Sequence, residues 1–416
     1  METWIRRTGI AVAWLTAAAC ATTSSSTGKG PRERVATAAE IEAARPAVER
    51  LQAGAFEEAR REAERALQAQ PANPRAHGAM AVARYVTAAT RLFEDARTVL
   101  EGARGGFNHR LMRGALEGAL AELDAVDQSL ARAAVDASFS LELCIACWQV
   151  DWNHNGRIDS RDRRLLEVEV DADGNSLPDG DPRRAPTFHF DVADVHWARA
   201  MVAFQRALLE VVLAYQWDEL DKLLLGSLLR RDPAIVIHLG DRGRVLRARG
   251  LVLDGLDHSA RARQAILAER DDDREWVPSP RQKSHPLPLP VDDALFATWE
   301  GVLDDVRRLV RGDDGLSIGE LVALGGVRFR DGASAPGGFV DVGRMFSDPR
   351  DITFNLDVLK RAEQQPEEAL ASTLGRAYVK QMAPTKLVGR LARMKGELDR
   401  GEESLGRKLR YLLWLN

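Results

Sequence analysis

Only three cysteines, Cys20, Cys144 and Cys147, occur in 416 residues. They are too few for a zinc site built from thiolates alone, because a structural zinc takes four ligands. Charge of one sign is missing as well. The 58 Lys and Arg stand against 62 Asp and Glu, a net charge of −4, so no global field draws the chain to nucleic acid. The mixed charges read instead as solvated helix faces. Beyond the N-terminus no apolar run is long enough to cross a bilayer, which confines membrane attachment to that end. The chain also lacks H-E-x-x-H, G-x-S-x-G, a Walker loop and a dinucleotide-binding Gly pattern set between strand and helix. The scattered His residues lie in polar stretches, and no catalytic residues are assigned. The chain is read as a non-enzyme.

What is present is mostly helical. A chain of this length holds two or three domains and a large core, and residues 37–103 are Ala-rich with helical periodicity. Gly54-Ala55-Phe56-Glu57-Glu58-Ala59, followed by Ala63, Ala66-Leu67 and Pro71, supplies small residues for close helix approach, an aromatic for the groove and a Pro stop. This run resembles the second helix of a tetratricopeptide repeat. Asn73-Pro74-Arg75-Ala76-His77-Gly78-Ala79-Met80-Ala81 resembles the next repeat's opening helix, and its continuation at Phe93-Glu94-Asp95-Ala96 arrives late. The resemblance implies a protein partner gripped on a concave helical surface. A generic helical hairpin is the plainer alternative.

Further on, helical spacing over 109–150 predicts helices, the last running into the acidic loop described below. Thr187-Phe188-His189-Phe190 alternates like a strand, and Asp191 with Asp194 can cap a helix over 192–229 rich in Val, Leu and Phe. Another helical stretch reaches about Arg270. Trp276-Val277-Pro278-Ser279-Pro280 and Pro286-Leu287-Pro288-Leu289-Pro290 cannot be helical and predict an ordered crossing loop. Asp292-Asp293 opens a C-terminal helix, and Ser317 to Glu320 forms a capping box for another. Val327-Arg328-Phe329-Arg330 and Phe339-Val340-Asp341-Val342 are expected to form one short hairpin. A last helix ends at 409–415.

The first residues carry an address. Arg6 and Arg7 precede the apolar run Ile10-Ala11-Val12-Ala13-Trp14-Leu15, and small residues lead to Cys20. This is a secretory signal, too short to remain as a membrane span. Cys after small residues resembles a bacterial lipoprotein cleavage site, which implies lipidation of Cys20 and anchoring through the N-terminus. Ala17 departs from the usual Leu, and an ordinary cut after Ala19 is the alternative. Residues 21–36 then form a flexible tether. Ala21 as the second mature residue favours an outer-membrane or periplasmic lipoprotein.

The most informative stretch is Asp151-Trp152-Asn153-His154-Asn155-Gly156-Arg157-Ile158-Asp159-Ser160-Arg161-Asp162. Oxygen-bearing side chains stand at loop positions 1, 3, 5, 9 and 12, Gly at 6 and Ile at 8. A calcium ion takes six to eight oxygens at about 2.3–2.6 Å; alternating residues point inward, Gly permits the sharp turn, and the carbonyl at position 7, here Arg157, adds a ligand. The loop resembles an EF-hand, with Asp151, Asn153, Asn155, Arg157 (by its carbonyl), Asp159 and Asp162 as calcium ligands. Asp162 replaces the usual Glu, and Asn153 and Asn155 are neutral, which implies an affinity of roughly 10⁻⁵–10⁻³ M, suited to an extracellular module. A weaker second cluster follows at Asp171, Asp173, Asn175 and Asp179, with Gly174 and Pro178 out of register. The plainer reading of both is a polar surface turn.

Cys144 and Cys147 form C-x-x-C just ahead of the loop, placed in a helix by this reading. A structural disulfide or two buried small residues, a thioredoxin-like exchange site and a zinc site completed by His189 and His196 all compete. An exchange site wants a strand upstream, and none is visible. Haem attachment would need His where Trp148 stands.

The expectation is a mostly α protein: signal 1–20, tether 21–36, repeat-like helices 37–105, a helical core 106–275 with a calcium-binding acidic region at 151–182, a crossing loop 276–293 and a helical C-terminal part 294–416. It is expected to act as an exported, lipid-anchored, calcium-stabilised scaffold for a protein partner. The alternative is a metal-dependent envelope hydrolase using the acidic region.

Overall fold

The computed structural model describes residues 35–102, 107–152, 156–163, 166–171, 175–218, 234–272, 274–283, 285, 291–318, 338–355, 372–373 and 375–398. Cys20 and the signal, residues 21–34 of the tether, the segments 286–290 and 327–330, Glu320 and the helix expected at 409–415 lie outside them. Among the described residues the fold is mostly α with short strands.

Four helices begin the fold: α1 (Ala38–Gln52), α2 (Phe56–Ala69), α3 (Pro74–Gly102) and α4 (His109–Ala133). Thr37 caps α1 in a capping box, its Oγ1 accepting from Glu40 N at 3.3 Å while Glu40 Oε2 accepts from Thr37 N at 2.9 Å. Gly54 turns the chain into α2 with φ +70°. Asn73 opens α3, its Oδ1 accepting from Ala76 N and its amide donating to the Glu40 carbonyl at 2.8 Å, so one buried side chain ties α3 to α1. Ala44, Ala47, Ala59, Ala63, Ala76 and Ala79 are fully buried, which is why this region is Ala-rich: backbones this close leave no room for longer side chains. Phe93 to Ala96 lie on α3 itself, one long helix paired with α4.

The helix expected to run to Val150 ends at Ala133. It is followed by β1 (Leu141–Leu143) and a single 3₁₀ turn over Ile145–Cys147. β1 pairs antiparallel with β2 (Phe188–Phe190), the strand that the alternation at 187–190 predicts. Asp191 and Asp194 then form the expected capping box at the start of α6 (Val192–Ala214), after the one-turn α5 (Ser160–Arg163). α6 stops earlier than expected, because Tyr215 turns into β3 (Tyr215–Gln216). This strand pairs with β4 (Ala234–Leu239), which no sequence pattern announced. β4 also takes β7 (Ile352–Asn355), and this sheet covers Ala214 and Val245.

α7 (Arg242–Ala268) packs along α6 in the molecule's most extensive helix pairing, and α8 (Asp293–Arg311), capped by Asp292, lies against α7. In the described part of the segment between them no helix forms, and Glu275, Trp276, Val277 and Ser279 are buried. The hairpin expected from 339–342 is replaced. β6 (Phe339–Val340) is the middle strand between β5 (Leu316–Ser317) and β8 (Val379–Lys380), and Val342 already belongs to α9 (Val342–Ser347). Helix α10 (Leu387–Leu398) closes the described chain onto α8. No helix among the described residues is long and apolar enough to cross a membrane.

Candidate functional site

The acidic loop is carried by a pinned segment. Trp148 is buried and meets the ring of Phe56 edge-on at 5.0 Å, fastening the chain to α2 three residues before Asp151. Asp151 Oδ2 accepts from Gly156 N at 2.7 Å, and Gly156 takes φ +81°, a left-handed conformation that favours glycine. At the far end Asp162 is only 2% exposed. Its Oδ1 accepts from Trp152 N and its Oδ2 from Asp159 N, each at 3.0 Å, so one carboxylate ties the start of the loop to the start of α5. Asn153, His154 and Asn155 lie outside the described residues.

The surroundings differ from an EF-hand's in one respect. No long helix enters the loop, because α4 ends far upstream, and the exiting helix α5 has a single turn. The loop therefore hangs from β1 and the 3₁₀ turn rather than between two helices.

The second cluster is a different structure. Asp171 and Asn175 bond each other: Asn175 N donates to Asp171 Oδ1 at 2.8 Å, and Asp171 N donates to the Asn175 carbonyl at 3.0 Å. Val170 and Ser176 also form an antiparallel bridge, and residues 172–174, which include Asp173, lie outside the described residues. Asp179 is paired with Arg184, which also binds Glu167 at 2.7 Å. In the described part, Asp171 is bonded to Asn175 and Asp179 is paired with Arg184. Local Asp and Asn side chains bonding the nearest backbone produce the same residue spacing as a metal loop.

Cys144 and Cys147 are joined by a disulfide, with Cα atoms 5.3 Å apart. They do not lie in an α-helix: Cys144 follows β1 directly and Cys147 ends the 3₁₀ turn, so the strand that sequence failed to show is present. The bond uses both thiols, which removes the zinc site with His189 and His196. His189 runs beside the 274–275 segment in β2, and His196 instead meets His258.

Among the described residues, the group of three carboxylates with oxygens within 4.8 Å of one another is Asp191, Asp194 and Glu275. The fold assembles it from two directions. Phe188 and Phe190 hold β2 against Trp276, with ring centroids 4.9 and 5.7 Å apart, and His189 N donates to the Arg274 carbonyl at 2.8 Å. Glu275 is thereby laid beside the capping Asp191. Asp191 Oδ1 accepts from Ala193 N at 2.7 Å and Asp194 Oδ2 from Asp191 N at 3.0 Å. Burial, with the charges of Asp191 and Glu275 beside it, holds the Asp194 carboxyl well above the usual carboxylate range. Asp191 is raised chiefly by burial. Glu269, at the end of α7, is pushed up to about 9 by burial and then by Asp191, Glu275 and Asp271. Gln282 donates to Glu269 and to Asp271 at 3.4 Å each, holding the crossing segment over the group. Such a group can keep protons at neutral pH or give oxygens to a hard cation. Sequence reading found Asp191 and Asp194 as caps and missed Glu275; the acidic run from Glu269 to Glu275 ahead of a Trp was the available signal.

No protein-family model, no curated protein and no solved structure matches this chain.

Proposed function

We propose that this is an exported, lipid-anchored, mostly helical protein of a cell envelope that serves as a calcium-stabilised scaffold for binding or assembling a protein partner. The carrying observation is the closure of the loop at 151–162. Asp151 holds the N–H of a left-handed Gly156, and the buried Asp162 carboxylate joins both ends. Asp151, Asn153, Asn155, Asp159 and Asp162, with the Arg157 carbonyl, would hold Ca²⁺. The ion would offset three like charges placed within one turn and bind the loop's two ends together. Export is supported by the signal-like start and by the Cys144–Cys147 disulfide, since such bonds persist in oxidising compartments. The Ala-packed α1–α3 unit supports the scaffold reading, because close helical layers present broad, rigid surfaces to partners.

Titration calorimetry with calcium tests the loop directly. Binding in the range roughly 10⁻⁵–10⁻³ M is expected for the intact chain, and Asp151→Ala should abolish it. No calcium heat, together with melting that chelator leaves unchanged, would reduce the loop to a polar turn. A pull-down of envelope proteins with calcium present and then chelated tests the scaffold.

A further inference from the structure

Where the chain enters its first helix it is held fast. Ala36 N donates to Asp136 Oδ1 at 3.2 Å, and the same oxygen accepts from Ser138 N at 2.9 Å and from Ser138 Oγ at 2.8 Å. Asp136 is fully buried, so its carboxylate clamps the residue ahead of α1 to the turn that follows α4. Thr37, next along the chain, is fixed by its capping box. Large apolar side chains stay exposed around this clamp. Val35 and Val135, which immediately precede the two bonded residues, are 65% and 39% exposed, and Ile41, one turn into α1, is 39% exposed. Ala38, Ala39 and Ala137 are exposed as well. The acids here are engaged: Glu40 in the capping box, Glu42 by Arg45 at 2.6 Å and Asp136 in the clamp. Leu246 on α7 marks the far end of the molecule. Its neighbour Arg244 pairs with Glu117 at 3.6 Å, and about 24 Å of helix separates Glu117 from Ala133, at 1.5 Å per residue.

We propose that the face formed by Val35, Ile41 and Val135 is a shallow docking surface for the phospholipid bilayer into which a lipid on Cys20 would insert, a proposal that rests on the anchored reading above. Only residues 21–34 separate Cys20 from Val35, and a chain of that length reaches at most about 50 Å. An anchor at Cys20 therefore keeps the body beside the membrane, and the Asp136 clamp fixes the point from which it is held. Tethering at such range keeps the surface at an effective concentration of about millimolar, so a contact too weak to recruit free protein suffices. Aliphatic side chains with no uncompensated acid among them gain by leaving water at the headgroup boundary. Charge favours the same partner. Lys29, Arg32 and Arg34 against Glu33 stand ahead of Val35, exposed Arg132 stands one turn before Asp136, and cations so placed attract anionic headgroups. A stable protein interface takes about 20–30 residues a side, whereas a tethered body settles on a bilayer with a few inserted side chains.

The test uses the full lipid-anchored chain in vesicles of phosphatidylethanolamine and phosphatidylglycerol. Polarity-sensitive fluorophores attached to Val135→Cys and to Ile41→Cys should shift to the blue and be quenched several-fold by nitroxide-bearing lipids. A fluorophore on Leu246→Cys should show neither change. Adding Ile41→Asp should cut the quenching at Val135→Cys several-fold without releasing the chain from the vesicles. These positions are exposed, so the substitutions leave the core intact. A native chain that carries no lipid at Cys20 would end the anchored reading and this proposal together. An anchored chain whose labels on the α1–α4 face are quenched no more than the label on α7 would overturn this proposal alone. A blue shift without quenching by lipid would mean that protein covers the face, a second copy if the shift grows with protein concentration, and would overturn it as well.

Discussion

Gly255 shows how far one side chain governs this molecule. With a Cβ 2.5 Å from the Phe204 ring, Gly255→Ala must push α7 off α6 or force Phe204 from its rotamer. A loss of about 1–3 kcal/mol is expected by chemical denaturation, whereas the same change at Gly250, which has open space around it, should cost nothing. Glu269 is a second residue with large leverage. Its carboxyl is pushed up to about 9, above its unfolded value near 4.5. The stability it confers is therefore complete below that lower value and lost as pH rises through about 9. Glu269→Gln keeps the group neutral throughout, so melting curves from pH 5 to 9 should decline less steeply for the variant than for the parent. Equal slopes would mean that the carboxyl is ionised in the fold.

Among the elements, the 3₁₀ turn over Ile145–Cys147 links the helical layers to the acidic loop. Its disulfide encloses only two residues, and so short a loop removes little entropy from the unfolded chain. Replacing Cys144 and Cys147 with Ala should lower stability modestly and leave partner capture intact, because Trp148 against Phe56 still fastens the segment. The strand ahead of Cys144 gives the pair one feature of an exchange site, but the helix after it is a single turn and supplies little dipole to lower a thiol pKa. Efficient reduction of a test disulfide by the purified protein would reverse this assignment.

At the scale of the whole molecule, two parts should respond to calcium differently. A ligand that binds only the native state stabilises it by RT ln(1 + [L]/Kd), about 2.7 kcal/mol at a hundredfold excess over Kd. Hydrogen exchange after chelation should loosen the region from about 148 to 194, which holds the loop, the Val170–Ser176 bridge and β2. The helices α1 to α3 should stay protected, since the Ala44, Ala66 and Ala76 contact and the Asn73 bond to the Glu40 carbonyl hold them to one another. Uniform loosening would place the ion's effect elsewhere. Anchoring is tested separately: mass spectrometry of the membrane fraction should find a lipidated chain beginning at Cys20, and Cys20→Ser should release it.

The sequence by itself determined the local features. The helical class, the strand at Phe188–Phe190, the Asp191–Asp194 capping box, the Asp292 start of α8 and the non-helical crossing after Trp276 follow from periodicity, caps and Pro, which act within a turn or two of chain. The same holds for the Asp151–Gly156 closure, since its partners lie within one loop. Tertiary structure alone decided where α4 and α6 end, because the residues after Ala133 and Ala214 are drawn out to pair with strands far along the chain. It also decided that Phe339–Val340 lies between Leu316–Ser317 and Val379–Lys380 rather than in a hairpin of its own. Strands of two to four residues carry too little pattern to name their partners, and pairing is selected by what the rest of the core leaves open. The carboxylate group at Asp191, Asp194 and Glu275 and the His196–His258 contact belong to the same class. Each joins side chains that no spacing rule connects, and only the packing of β2, α6 and α7 brings them within reach.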